Sequence, residues 1–141
     1  METYDLKKTR ERISEFEGLR LKPYLCPAGR TTIGFGRNLS DVGISEAEAR
    51  IMLANDTSKC ISQLVDEFPW FESLNVPRQA VMIDLCFNLG ITKLLTFKKF
   101  LLAMEAKQYR KARDELLDSA YAKQVGRRAA ENAEMVLEGE W

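Results

Sequence analysis

The chain reads as an α+β protein, mostly helical, with one small β-hairpin near its N-terminus, and three observations predict that class. An apolar stripe with the 3.6-residue period of a helix runs over 45–66, opened by a capping box. A strand–turn–strand pattern occupies 19–36. From 77 onward helical periodicity dominates. At 141 residues, 45% hydrophobic and 30% charged, the chain is large enough to bury the core of one compact domain.

The elements follow in order. Leu6, Ile13 and Phe16 stand at roughly helical spacing among charges, which predicts a short amphipathic helix ending near Gly18. LRLKPYL then alternates polar and apolar residues, PAGR supplies turn chemistry and TTIGFG is β-branched and aromatic, so 19–36 is expected to fold as a hairpin. Pro23, which cannot donate to a ladder, predicts an edge strand. Ser45 with Glu48 forms the capping box of the long helix, whose stripe of Ala47, Ile51, Leu53, Ala54, Ile61 and Leu64 lasts to about Asp66. FPWF at 68–71 interrupts the pattern. Pro77 suits the first turn of PRQAVMIDLCFNLG, an almost wholly apolar helix closing at Gly90 and expected at the centre of a core. Residues 96–106, 108–118 and 127–138 predict three more amphipathic helices. One domain over 1–141 is expected, with an N-terminal lobe at 1–44, a connecting helix at 45–66 and a helical lobe at 67–141. A cleft between hairpin and bundle would follow from that order.

Charge and composition exclude several chemistries. Twenty-one basic and twenty-one acidic side chains cancel, so nothing global recommends a nucleic-acid partner. The distribution is uneven, with basic stretches at 1–37 and 98–128 on either side of an acidic one at 38–72. There is no histidine, which removes the commonest zinc ligand and the usual partner of a Cys or Ser nucleophile. No metal or cofactor is expected. Cys26, Cys60 and Cys86 are odd in number and lack a CxxC pattern, so a reduced, cytoplasmic protein is expected rather than a disulfide scaffold. The charged N-terminal segment lacks a signal-peptide core and no run approaches a membrane span, so export would depend on another agent.

Glu17, at a helix end beside Phe16, Leu19 and Leu21, has the apolar neighbours that raise a carboxyl pKa, as a general acid needs, although most such residues are simply solvated. Cys26 sits at a Cys-Pro turn, which argues for exposure. Thr31 and Thr32 are by default strand formers. Gly34 and Gly36 lack the Lys-Ser or Lys-Thr and the βαβ setting of a phosphate loop.

In combination these residues say more. E-G-L-R-L-K-P-Y, then Cys26 nine residues after Glu17, then Thr32 inside T-x-G-x-G, closely resemble the active-site segment of the phage-type lysozymes, glycoside hydrolase family 24. FNLG at 87–90 and Gln124-x-x-x-Arg128 followed by Gly139-x-Trp141 resemble two further family elements. The resemblance implies a lysozyme-like two-lobed fold and hydrolysis of the β-1,4 bond between N-acetylmuramic acid and N-acetylglucosamine in peptidoglycan. It makes Glu17 the proton donor, Thr32 a holder of the attacking water, and Cys26 the counterpart of an Asp in many relatives, as base, nucleophile or water anchor. A thiol there, with a reference pKa of ~8.5, is mostly neutral at pH 7 unless perturbed.

The same resemblance places Phe87, Asn88, Gln124 and Arg128 at the saccharide groove, with Arg128 facing Glu17. Phe100 and Glu115 fall at groove positions where this chain differs in type. Arg37 stands where relatives often have His and is expected to pair with Asp56, bracing hairpin against long helix. A monomer is expected, made in the bacterial cytoplasm and released to the wall by a holin. The alternatives that remain are a degenerate peptidoglycan-binding domain and a lytic transglycosylase.

Overall fold

A computed structural model describes residues 3–141. The architecture is α+β as expected, in the order α1 (Leu6–Glu17), β1 (Arg20–Leu25), β2 (Thr31–Gly34), β3 (Arg37–Asn38), α2 (Glu46–Glu67), α3 (Val76–Leu89), α4 (Ile91–Leu94), α5 (Lys98–Glu105), α6 (Tyr109–Leu117), α7 (Ala120–Val125) and α8 (Arg127–Glu138). Among the described residues no helix is long and apolar enough to cross a membrane. The chain separates into two compact units, the first ending at Ile51 and the second spanning Met52–Trp141.

In the first unit, Asp5 caps α1 by accepting from the Lys8 N–H at 3.0 Å, and Gly18, at φ +71°, ends it. The sheet is antiparallel in the order β1-β2-β3. Pro23 therefore lies on an edge strand, where its missing N–H costs no ladder bond. The third strand, only two residues long, was not expected: Arg37 and Asn38 are polar and give no alternating pattern, and only pairing with Ile33 and Thr32 makes them a strand. Ser45 and Glu48 form the reciprocal capping box at the start of α2. The Ser45 N–H donates to Glu48 Oε1 at 2.9 Å and the Glu48 N–H to Ser45 Oγ at 3.1 Å.

In the second unit, α2 ends at Phe68 to Phe71, where both phenylalanines turn into the core as the chain enters a short 3-10 turn. Asn75 caps α3, which buries Val81, Met82, Leu85 and Cys86 as the apolar run predicts. Around it pack Leu64, Leu94, Phe100, Met104, Leu116, Tyr121 and the α8 residues Ala129, Ala133 and Val136. Phe100 is packed into that cluster from α5. Arg78 fastens the end of α8. Its Nε donates to the Val136 carbonyl at 2.8 Å and its Nη2 to Leu137 at 3.0 Å, while its guanidinium lies 3.5 Å over the Tyr109 ring. The short helices α4 and α7 were not expected, being below the length at which apolar period is legible.

Candidate active site

Three residues of the first unit matter most, and its sheet positions each. Glu17 is the last residue of α1, and Arg20, three residues on, pairs with Gly34. The end of α1 is thereby drawn to the turn that joins β2 to β3. There the Glu17 carboxylate rests against Gly36: a β-carbon built on Gly36 would lie 2.5 Å from Glu17 Oε2 and 3.0 Å from its Cδ. The missing side chain at Gly36 thus leaves room for the Glu17 carboxylate. The positive φ of Gly36, +80°, also needs glycine.

The apolar surround expected for Glu17 is not formed by its sequence neighbours. Phe16 is 77% exposed, Leu21 is 80% exposed and Leu19 is more than half exposed. Phe16 instead carries the Arg12 guanidinium 5.3 Å from its ring centre. Adjacency in sequence gave no enclosure because Gly18 turns the chain out of the helix between Glu17 and these leucines.

Cys26 opens the β1–β2 turn. Its N–H donates to the Arg30 carbonyl at 3.0 Å and its carbonyl accepts from Gly29 at 2.8 Å, a tight turn with Pro27 at its second position. The thiol is partly exposed. Its pKa is lowered, chiefly by a backbone hydrogen bond from Arg30 against the opposing effect of burial, with Ala28 and the Thr32 hydroxyl assisting. Thr32 is buried in the middle strand, and its hydroxyl donates to the Arg30 carbonyl at 2.9 Å. Cys26 and Thr32 thus converge on the Arg30 carbonyl, which accepts from the backbone N–H of one and the hydroxyl of the other.

The other cysteines contrast with Cys26. Burial pushes the Cys86 thiol up, and Cys60 beside it pushes it further. Both are packing residues. Among the described residues, no group of three or more Cys, Asp or Glu is arranged to hold a metal ion.

Arg37 departs from expectation. Its guanidinium forks onto Glu48, Nη1 to Oε1 at 2.8 Å and Nη2 to Oε2 at 2.8 Å, and Nη1 also reaches the Gly43 carbonyl at 3.1 Å. Hydrogen bonds from Arg37 first, then from Ser45, hold the Glu48 carboxyl down at about 2. Asp56 is not the partner. It follows Glu48 by eight residues, about 12 Å along the helix at 1.5 Å per residue, so one guanidinium cannot serve both. The brace between hairpin and long helix exists, with the capping-box carboxylate as its acidic half.

In the second unit Asp56 lines a cavity of about 290 Å³ with Lys59, Cys60, Gln63, Phe87, Gly90 and Ile91. Phe87 is 43% exposed, Asn88 is exposed one residue on, and Gln124 is exposed on α7. Glu115 lines a separate cavity of about 420 Å³ together with Phe100, Lys98, Lys99 and Asp118. Arg128 forks onto Asp84, a residue that sequence reading did not single out. The signal available was a lone acid inside an apolar helix, since a carboxylate so placed needs a partner.

Comparison with known proteins follows the same outline. The family model described as phage lysozyme matches residues 14–131. An endolysin of Acyrthosiphon pisum secondary endosymbiont phage 1 is 32% identical over 120 residues, covering 82% of this chain and 80% of that protein. The stretch matched by the family model includes Glu17, Cys26, Thr32, Phe87, Asn88, Gln124 and Arg128.

Proposed function

Because the chain belongs to the phage lysozyme family, we propose that it is an endolysin that hydrolyses the β-1,4 bond between N-acetylmuramic acid and N-acetylglucosamine in peptidoglycan. The observation that best supports this reading is the convergence of Cys26 and Thr32 on the Arg30 carbonyl, on the same small sheet whose next turn supports Glu17.

The chemistry follows from those groups. Glu17, protonated, gives its proton to the glycosidic oxygen, which leaves as a hydroxyl as the bond to the anomeric carbon breaks. A water held by Thr32 attacks that carbon, and its proton passes to the Cys26 thiolate. The cycle closes when solvent returns a proton to Glu17 and removes one from Cys26. Thr32 suits the holding role because its hydroxyl hydrogen is engaged by Arg30, leaving the oxygen to accept from water. Displacement by water inverts the anomeric carbon, whereas attack by the Cys26 sulfur would retain it through a thioglycoside.

The test is hydrolysis of purified glycan strands by the wild type and by Glu17→Gln, Cys26→Ser and Cys26→Asp, with product ends and anomers read by mass spectrometry and NMR. Inverted reducing ends from the wild type, lost in Glu17→Gln and in Cys26→Ser, are the expected result. Anhydro ends would make it a lytic transglycosylase. Turnover gained only in Cys26→Asp would make it a binding domain. Delivery by a holin completes the reading, and wall degradation in a host lacking one would contradict it.

A further inference from the structure

Asp84 is an acid that the mechanism above does not use, and two side chains converge on it. Its carboxylate accepts from Arg128 Nε at 3.0 Å on Oδ2 and from Arg128 Nη2 at 2.6 Å on Oδ1. Asn132 Nδ2 donates to the same Oδ2 at 2.7 Å and to the Tyr121 hydroxyl at 3.1 Å. Tyr121 and Asn132 are buried, so the inner side of this network is locked by packing. Burial by itself would raise the Asp84 carboxyl. Hydrogen bonds from Arg128 and Asn132, with the charge of Arg128, outweigh that and hold it below its ordinary value.

The outer side is open. Arg128 keeps 41% of its side chain exposed, and among the described residues its Nη1 makes no hydrogen bond. On α3, Phe87 and Asn88 follow Asp84 by three and four residues, which puts all three on one helix face. Phe87 and Asn88 are exposed there, one turn along α3 from the carboxylate that holds Arg128. A flat ring beside paired hydrogen-bonding groups is the chemistry that receives a sugar with its hydroxyl and acetamido substituents.

We propose that Asp84 is a positioning residue for glycan binding, fixing the guanidinium of Arg128 so that its free edge, with Phe87 and Asn88, receives a saccharide unit. The inference rests on the peptidoglycan reading. A half-exposed ion pair contributes little to stability, because water screens it. Its larger effect is to remove the rotamer freedom that Arg128 would otherwise lose on binding.

The experiment measures KM and kcat on soluble, uncrosslinked glycan strands for Asp84→Asn, Arg128→Ala and the double variant. Asparagine keeps one acceptor and loses the two-point fork. KM should rise by about threefold to tenfold in Asp84→Asn, the size set by ordering one long side chain, with kcat within a factor of two. In the Arg128→Ala background the same change should leave KM where it is, since Asp84 then has nothing to position. An unchanged KM in the single variant, or the same factor in both backgrounds, overturns the proposal. If Asp84→Asn does not fold, Arg128→Lys is read instead; it keeps the charge without the fork, and an unaltered KM there overturns it equally. Calorimetric affinity for the same strands in a Glu17→Gln background reads the same factors without turnover. A wild type that binds but does not cut would thus count against the hydrolase reading alone.

Discussion

Replacing Gly36 by alanine separates the placement of Glu17 from the stability of the hairpin, because Gly34 provides a matched control two residues away. Both glycines have positive φ, +80° and +70°. An alanine at either is strained by about 1–2 kcal/mol. At roughly 2.1 cal/mol/K of unfolding entropy per residue, that lowers Tm by about 3–7 °C for a chain of this size. The two differ in what the new methyl meets. At Gly34 nothing lies within 4 Å, whereas at Gly36 it would stand 2.5 Å from Glu17 Oε2. Reaching an ordinary contact of 3.4 Å moves the carboxylate by about 0.9 Å, which the flexible side chain does at small cost to folding. A displacement of about 1 Å at a reacting group can lower turnover by about 100-fold. Melting curves and initial rates on purified glycan strands should therefore show similar Tm losses in Gly34→Ala and Gly36→Ala, with a collapse of kcat only in Gly36→Ala. Equal rates in the two variants would refute the placement of Glu17 by Gly36.

Three more expectations rest on single interactions. The folded Glu48 carboxyl sits at about 2 against an ordinary value of 4.5, so the unfolded chain binds its proton first as pH falls. The stability from the Arg37 fork is present above pH 4.5 and lost toward pH 2, an effect that Glu48→Gln should remove from Tm-versus-pH curves and Asp56→Asn should leave intact. The Cys26 thiol, lowered by the Arg30 backbone, should react with iodoacetamide with a midpoint below that of a free cysteine, and Thr32→Val should shift that midpoint upward. Arg78→Lys loses the planar fork that joins two α8 carbonyls and the stacking on Tyr109, and should cost about 1–3 kcal/mol in urea unfolding; a loss below 0.5 kcal/mol, on the order of an exposed side-chain change, would show the clamp idle.

Much of this protein is decided by local chemistry and so is legible in its sequence. The capping box of Ser45 and Glu48, the Gly18 and Gly90 stops, the Pro23 edge strand and the apolar α3 are all set by contacts within a few residues, and each stands where those residues put it. The order of motifs carrying Glu17, Cys26 and Thr32 is likewise linear information, and the family match follows it. What tertiary structure alone decided is which side chain faces which. Arg37 chose Glu48 over Asp56 because the helix rise separates the two acids. Phe16, Leu19 and Leu21 do not enclose Glu17 because Gly18 changes the chain's direction, while Gly36, nineteen residues on, supports its carboxylate. Asp84 meets Arg128 across 44 residues, a pairing that becomes available only when α3 and α8 share a core and bring the two side chains together.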